Sequence, residues 1–130
     1  MRVWRSGPFL IAFAVSAYSF FTPGPDLTHA VTIWDKLGHA LTFAALALTG
    51  QYAGWRARTL APSLFGYAVA SEILQAVLPI QRDGDWHDVV ADSAGLVGGL
   101  LVGGLTALAW SRFRPRSGVP TSTGPRRPPG

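Results

Sequence analysis

The 130-residue chain contains no cysteine, and only 14% of its residues are charged. Without thiols there is no disulfide framework and no thiolate metal site, and thiol usage says nothing of the redox compartment. The scarcity of charge, set against 48% hydrophobic residues and a mean hydropathy of +0.26, excludes an ordinary soluble domain of this size. Charge is absent altogether from two long runs, Ser6 to Pro25 and Ser93 to Ser111. Leu37 to Trp55 is interrupted only by His39, and Thr59 to Gln81 only by Glu72.

A helix needs roughly 20 apolar residues to cross ~30 Å of hydrocarbon, so these runs predict four membrane-spanning helices. The expected fold is all-α, a polytopic four-helix transmembrane bundle with helices over about 7–22, 37–54, 60–79 and 88–110. Pro23 and Pro25 stop the first helix, Pro62 suits the first turn of the third, and Pro79 ends it. Trp4, Trp34, Trp55, Trp86 and Trp110 all fall near span ends, where amphipathic rings favour the headgroup region. The segment from 113 to 130 is Pro, Arg, Ser, Thr and Gly with little to bury, and reads as a disordered cytoplasmic tail.

The net charge of +4 is explained by topology. Arg2, Arg5, Arg56, Arg58, Arg112, Arg114, Arg116, Arg126 and Arg127 fall on one side of the predicted bundle, and only Lys36 and Arg82 on the other. Basic residues are retained in the cytoplasm, which places both termini on the cytoplasmic side of the membrane and makes nucleic-acid binding unnecessary. One competing reading treats MRVWRSGPFLIAFAVSAYS as a cleaved signal peptide, leaving three helices with unchanged orientation.

All seven acidic residues then belong to the outer loops or outer halves of helices. Asp35 and His39 share a helix face at i, i+4, as do Asp88 and Asp92, and Glu72 and Gln75 share one at i, i+3. With Lys36 and Arg82 they predict one polar pocket under the outer surface, with Gly84 letting the loop fold back over it. A carboxylate within a span costs about 2.5–3.5 kcal/mol, so Glu72 needs partners at its own depth. The bland alternative is that these groups only hold helices together.

Two further readings attach to the same residues. Lys36 and Arg82 holding a phosphate beside His39 or His87 suggest a membrane enzyme on lipid-linked phosphates. His39, Glu72, His87, Asp88 and Asp92 suit a cation, but no diagnostic ligand spacing assigns a metal site or a cofactor. On the fourth helix, Gly95, Gly99 and Gly103 form a small-residue face, suited to packing within the chain and, alternatively, to a helix-four dimer.

The order Asp35-Lys36-x-x-His39, Glu72-x-x-Gln75, Arg82 and Asp88-x-x-x-Asp92-x-x-Gly95 resembles the VanZ-like family of small bacterial membrane proteins. The similarity spans about Asp35 to Gly99, with Asp92 where the family usually has Asn. The resemblance implies a multi-helix envelope protein that affects sensitivity to glycopeptide antibiotics of the teicoplanin type, and it favours a pocket that recognises a lipid headgroup, a cell-wall precursor or an antibiotic. It implies no settled enzymatic activity.

Overall fold

A computed structural model describes residues 3–22, 32–80 and 84–113. A 3-10 turn, Val3–Ser6, leads into α1 (Gly7–Phe21), followed by α2 (Thr32–Tyr52), α3 (Ala57–Val77) and α4 (Trp86–Phe113). Among the described residues there is no strand, and the protein is all-α. Arg82 and the expected tail beyond Phe113 lie outside the described residues.

The helix ends differ from the sequence reading for local reasons. The charge-free run marks where α2 becomes apolar, whereas its backbone hydrogen bonding starts at Thr32, five residues earlier, and takes Asp35 and Lys36 onto the helix. Pro62 is inside α3, which begins at Ala57 immediately after the turn from α2. Its expected place in the first turn is therefore corrected to the second, where the missing N–H removes one i to i−4 bond. At the far end α3 stops at Val77 because Leu78, directly before Pro79, is extended at φ −84°, ψ 143°.

The α2–α3 turn is closed by Gly54, whose φ of +95° only glycine adopts without strain. The Trp55 N–H donates to the Gly50 carbonyl at 3.0 Å and the Gly54 N–H to the Gln51 carbonyl at 2.9 Å, the paired bonds of a Schellman cap. A methyl group at Gly54 would meet nothing within 4 Å, so its cost is purely conformational. Gly54→Ala is expected to destabilise the protein by about 1–2 kcal/mol, read as a shift in its unfolding midpoint in detergent. An unchanged midpoint would mean that the turn does not hold the hairpin.

The helices alternate in direction. Phe9 of α1 lies 4.9 Å from Trp55, and Arg5 stacks 5.0 Å over Tyr52, so the start of α1 meets the α2–α3 turn. At the opposite end Phe20 stacks 4.5 Å from His39, and the Gln75 amide donates to the Phe20 carbonyl at 3.0 Å. The core between these ends is Phe9, Phe20, Phe43, Leu46, Leu60 and Leu64 with small alanines.

The closest-packed pair is α2 with α4. A Cβ at Gly99 would sit 2.6 Å from the Ala44 carbonyl oxygen, one at Gly95 would collide with the Ala40 carbonyl, and one at Gly103 with the Gln51 amide. Gly95, Gly99 and Gly103 thus form the seam against α2, and the face considered for a helix-four dimer is taken up within the chain. Gln51 crosses the seam and donates to the Gly99 carbonyl at 3.2 Å.

Among the described residues, α3 and α4 are long and apolar enough to cross a membrane. At 15 residues α1 is ~22 Å long, short of the ~30 Å core. The side-chain distribution is inverted relative to a water-soluble bundle. Ile11, Val15, Leu41, Ile73, Val97, Leu101 and Leu105 are exposed, while Ser16, His39, Ser71, Glu72, Gln75, Asp88 and Asp92 are buried.

Candidate functional site

The polar residues assemble at the end of the bundle where α2 and α4 begin and α3 finishes. Asp85 stands just before α4 and caps it: its carboxylate accepts the His87 N–H at 2.9 Å, satisfying one of the free donors of the first turn. Its own N–H donates to Glu72 Oε2 at 2.9 Å, tying the loop to α3. Gly84 makes that approach feasible, since a Cβ there would be 2.6 Å from the Glu72 carbonyl oxygen. The expected fold-back at Gly84 is present.

Lys36 of α2 reaches across to the same loop. Its Nζ donates to Asp85 Oδ2 at 3.0 Å and to Asp88 Oδ1 at 2.9 Å, joining the first turns of α2 and α4. The His87 N–H, Lys36 and the His87 ring together hold the Asp85 carboxyl well below the usual carboxylate range. A depressed carboxylate stabilises the fold at every pH above its ordinary titration range and releases that stability only as the pH falls through the lowered value. The cap is therefore intact across the physiological range.

One turn deeper, His39 occupies the centre of the layer, only 3% exposed. Its Nδ1 is 2.9 Å from Asp92 Oδ1, while Nε2 lies 4.0 Å from Asp88 Oδ2. A His39 nitrogen and one oxygen each of Glu72 and Asp92 lie within 4.8 Å of one another, and all three side chains are buried. Glu72 Oε1 and Asp92 Oδ2 are buried without a hydrogen-bond partner. Buried polar atoms are satisfied in the great majority of cases, which makes these two informative. A cleft of about 180 Å³ lined by Ser19, Phe20, Trp34, Asp35, Gly38 and Thr42 opens onto His39.

The structure thus brings Lys36, His39, Glu72, Asp88 and Asp92 together, with Asp35 at the exposed rim. Gln75 is separate in role, its amide serving to hold α1 against α3. Asp85 was not distinguishable as the hub from the sequence, because it acts partly through its backbone N–H. The signal that identifies it is an Asp directly before an apolar helix, a capping position. A larger cleft, about 600 Å³ between Arg5, Gln51, Tyr52, Trp55 and Trp110, lies at the opposite end and has no carboxylate in its lining.

The arrangement accepts donors and cations. Asp85 and Asp88 share Lys36, whereas among the described residues the polar partners of Glu72 and Asp92 are the Asp85 N–H and the His39 ring. Comparison with family models, with curated proteins and with solved structures gives no match, so the likeness to VanZ-like proteins rests on the residues quoted above.

Proposed function

We propose that the chain is a four-span protein of the bacterial cytoplasmic membrane, with both termini cytoplasmic, and that it acts through an outward-facing polar pocket. The pocket recognises a lipid headgroup or a cell-wall precursor, as the resemblance to VanZ-like proteins implies. The observation that carries this reading is the convergence of buried His39, Glu72, Asp88 and Asp92 from three helices at one end of a bundle whose outer surface is apolar. Holding helices together takes one or two satisfied pairs; this layer has more ionisable groups than that and leaves two oxygens unsatisfied. The inverted side-chain distribution supports four embedded helices, including the shorter α1 and the more polar α2.

Catalysis on lipid-linked phosphates receives less support. Lys36 is engaged by Asp85 and Asp88, and among the described residues the layer has more carboxylates than cations. A phosphate at the reacting position would enter a field of its own sign, whereas a headgroup or precursor that presents amine or hydroxyl donors to the carboxylates would not.

Topology and phenotype test the proposal together. A reporter fused after Arg116 should be active in the cytoplasm and one inserted at Gly84 outside it. Expression in a susceptible host should raise the inhibitory concentration of teicoplanin several-fold. Reversed reporters would remove the outward-facing site, and unchanged susceptibility would sink the glycopeptide component.

A further inference from the structure

We infer that His39, Glu72 and Asp92 form a binding site for a divalent transition-metal ion, buried between α2, α3 and α4. The inference does not depend on the envelope reading, because it follows from the donor set and its geometry alone.

Three kinds of observation support it. The first is proximity: a nitrogen of His39 and one oxygen from each carboxylate lie within 4.8 Å of one another. Ligands at ~2.0–2.2 Å from a central ion are ~3–4 Å apart, so closure needs a contraction on the order of 1 Å. The second is the orphaned atoms. Glu72 is 6% exposed and Asp92 0%, yet Glu72 Oε1 and Asp92 Oδ2 have no hydrogen-bond partner. Their sister oxygens are fixed, Glu72 Oε2 by the Asp85 N–H and Asp92 Oδ1 by His39 Nδ1. The carboxylates are held in place while one lone-pair-bearing oxygen of each is left available.

The third is charge. Lys36 pairs with both Asp85 and Asp88, but no Lys or Arg among the described residues pairs with Glu72 or Asp92. A divalent ion with neutral His39 and two carboxylates is electroneutral, which removes the cost of two uncompensated charges in a buried site. The imidazole selects a transition ion over magnesium or calcium, and the oxygen ligands suit zinc or manganese. The cleft beside Asp35 and Gly38 gives a path from the surface to His39.

The full-length protein, purified in detergent without a polyhistidine tag and stripped with a chelator, should bind Zn²⁺ at about one ion per chain. Bound Zn²⁺ should raise its thermal unfolding midpoint. Glu72→Gln combined with Asp92→Asn should weaken binding at least 100-fold, whereas Ser63→Ala, on an exposed residue of α3 away from the cluster, should leave it unchanged. If the double variant does not fold, Co²⁺ added to the wild-type protein decides: visible absorption bands of a low-coordinate N/O site that Zn²⁺ abolishes support the site. Absence of Zn²⁺ binding at millimolar concentration, or binding that survives in the folded double variant, overturns it. Loss of metal binding with the teicoplanin phenotype retained would separate this inference from the proposed function.

Discussion

Glu72→Gln is expected to fold, insert and unfold later on heating than the parent protein in metal-free buffer, while losing the pocket's activity. In the parent, Glu72 and Asp92 each have one carboxylate oxygen without a hydrogen-bond partner among the described residues, and an oxygen of one lies within 4.8 Å of an oxygen of the other. A glutamine retains an oxygen to accept the Asp85 N–H and replaces the orphaned atom with an NH₂ group that can donate to Asp92. Removing one unsatisfied buried acceptor and one uncompensated charge should stabilise the protein by about 1–3 kcal/mol. The same substitution deletes one ligand of the proposed metal site and the charge that Glu72 contributes to the proposed pocket. Stability and activity should therefore move in opposite directions, as they do where a site is built at the expense of the fold. A Glu72→Gln protein that unfolds earlier and keeps its envelope phenotype would show that Glu72 is a structural residue.

The second large effect is expected at Gly95. A methyl group there would lie 2.6 Å from the carbonyl carbon and 2.7 Å from the Cα of Ala40, and closer still to the carbonyl oxygen. These are backbone atoms within a helix, so no side-chain rotation relieves the overlap, and α2 and α4 must separate. Gly95→Ala should destabilise the bundle by about 3 kcal/mol, the upper part of the overpacking range. Separation at Gly95 also pulls Asp92, one turn earlier, away from His39, so ligand binding should fall with stability. Gly98 is the control: a Cβ there meets nothing within 4 Å, and Gly98→Ala should be neutral. Unfolding titrations in sodium dodecyl sulfate would read both variants; equal midpoints would mean that the α2–α4 seam is not tight.

What could be read from the sequence was what charge and periodicity encode. Four helices follow from the uncharged runs, and the shared depth of His39, Glu72, Asp88 and Asp92 follows from counting turns inward from the helix ends. The close approach at Gly84 and the packing face of Gly95, Gly99 and Gly103 were legible because glycine has few other reasons to recur there. The start of α2 was not, since hydropathy locates an apolar segment and is blind to a polar first turn continuous with it. Pro62 was misplaced because proline is tolerated inside a helix, and the sequence does not reveal the tertiary setting that tolerates it. The Gln75 amide donates to the Phe20 carbonyl, a contact 55 residues distant that no local pattern announces. Asp85 and the unsatisfied oxygens of Glu72 and Asp92 are three-dimensional facts, depending on which partners are in reach and which are not.

The long sequence separations across the α2–α4 seam also set a schedule for synthesis. Lys36 and Asp85 are 49 residues apart, Lys36 and Asp88 52, and His39 and Asp92 53. At ~5–20 residues per second, roughly 3–10 s elapse between the emergence of α2 and that of the residues that satisfy it. Throughout that interval a lysine and a histidine near the start of α2 are without these partners, which, if α2 is embedded as proposed, favours its retention at a protected, water-accessible place in the insertion machinery until α4 arrives. On the proposed four-span reading the α2–α4 seam makes the last helix a checkpoint: a ribosome that stalls before Asp92 would leave three helices and an open polar flank, the kind of exposed intramembrane polarity by which quality control recognises an unfinished chain.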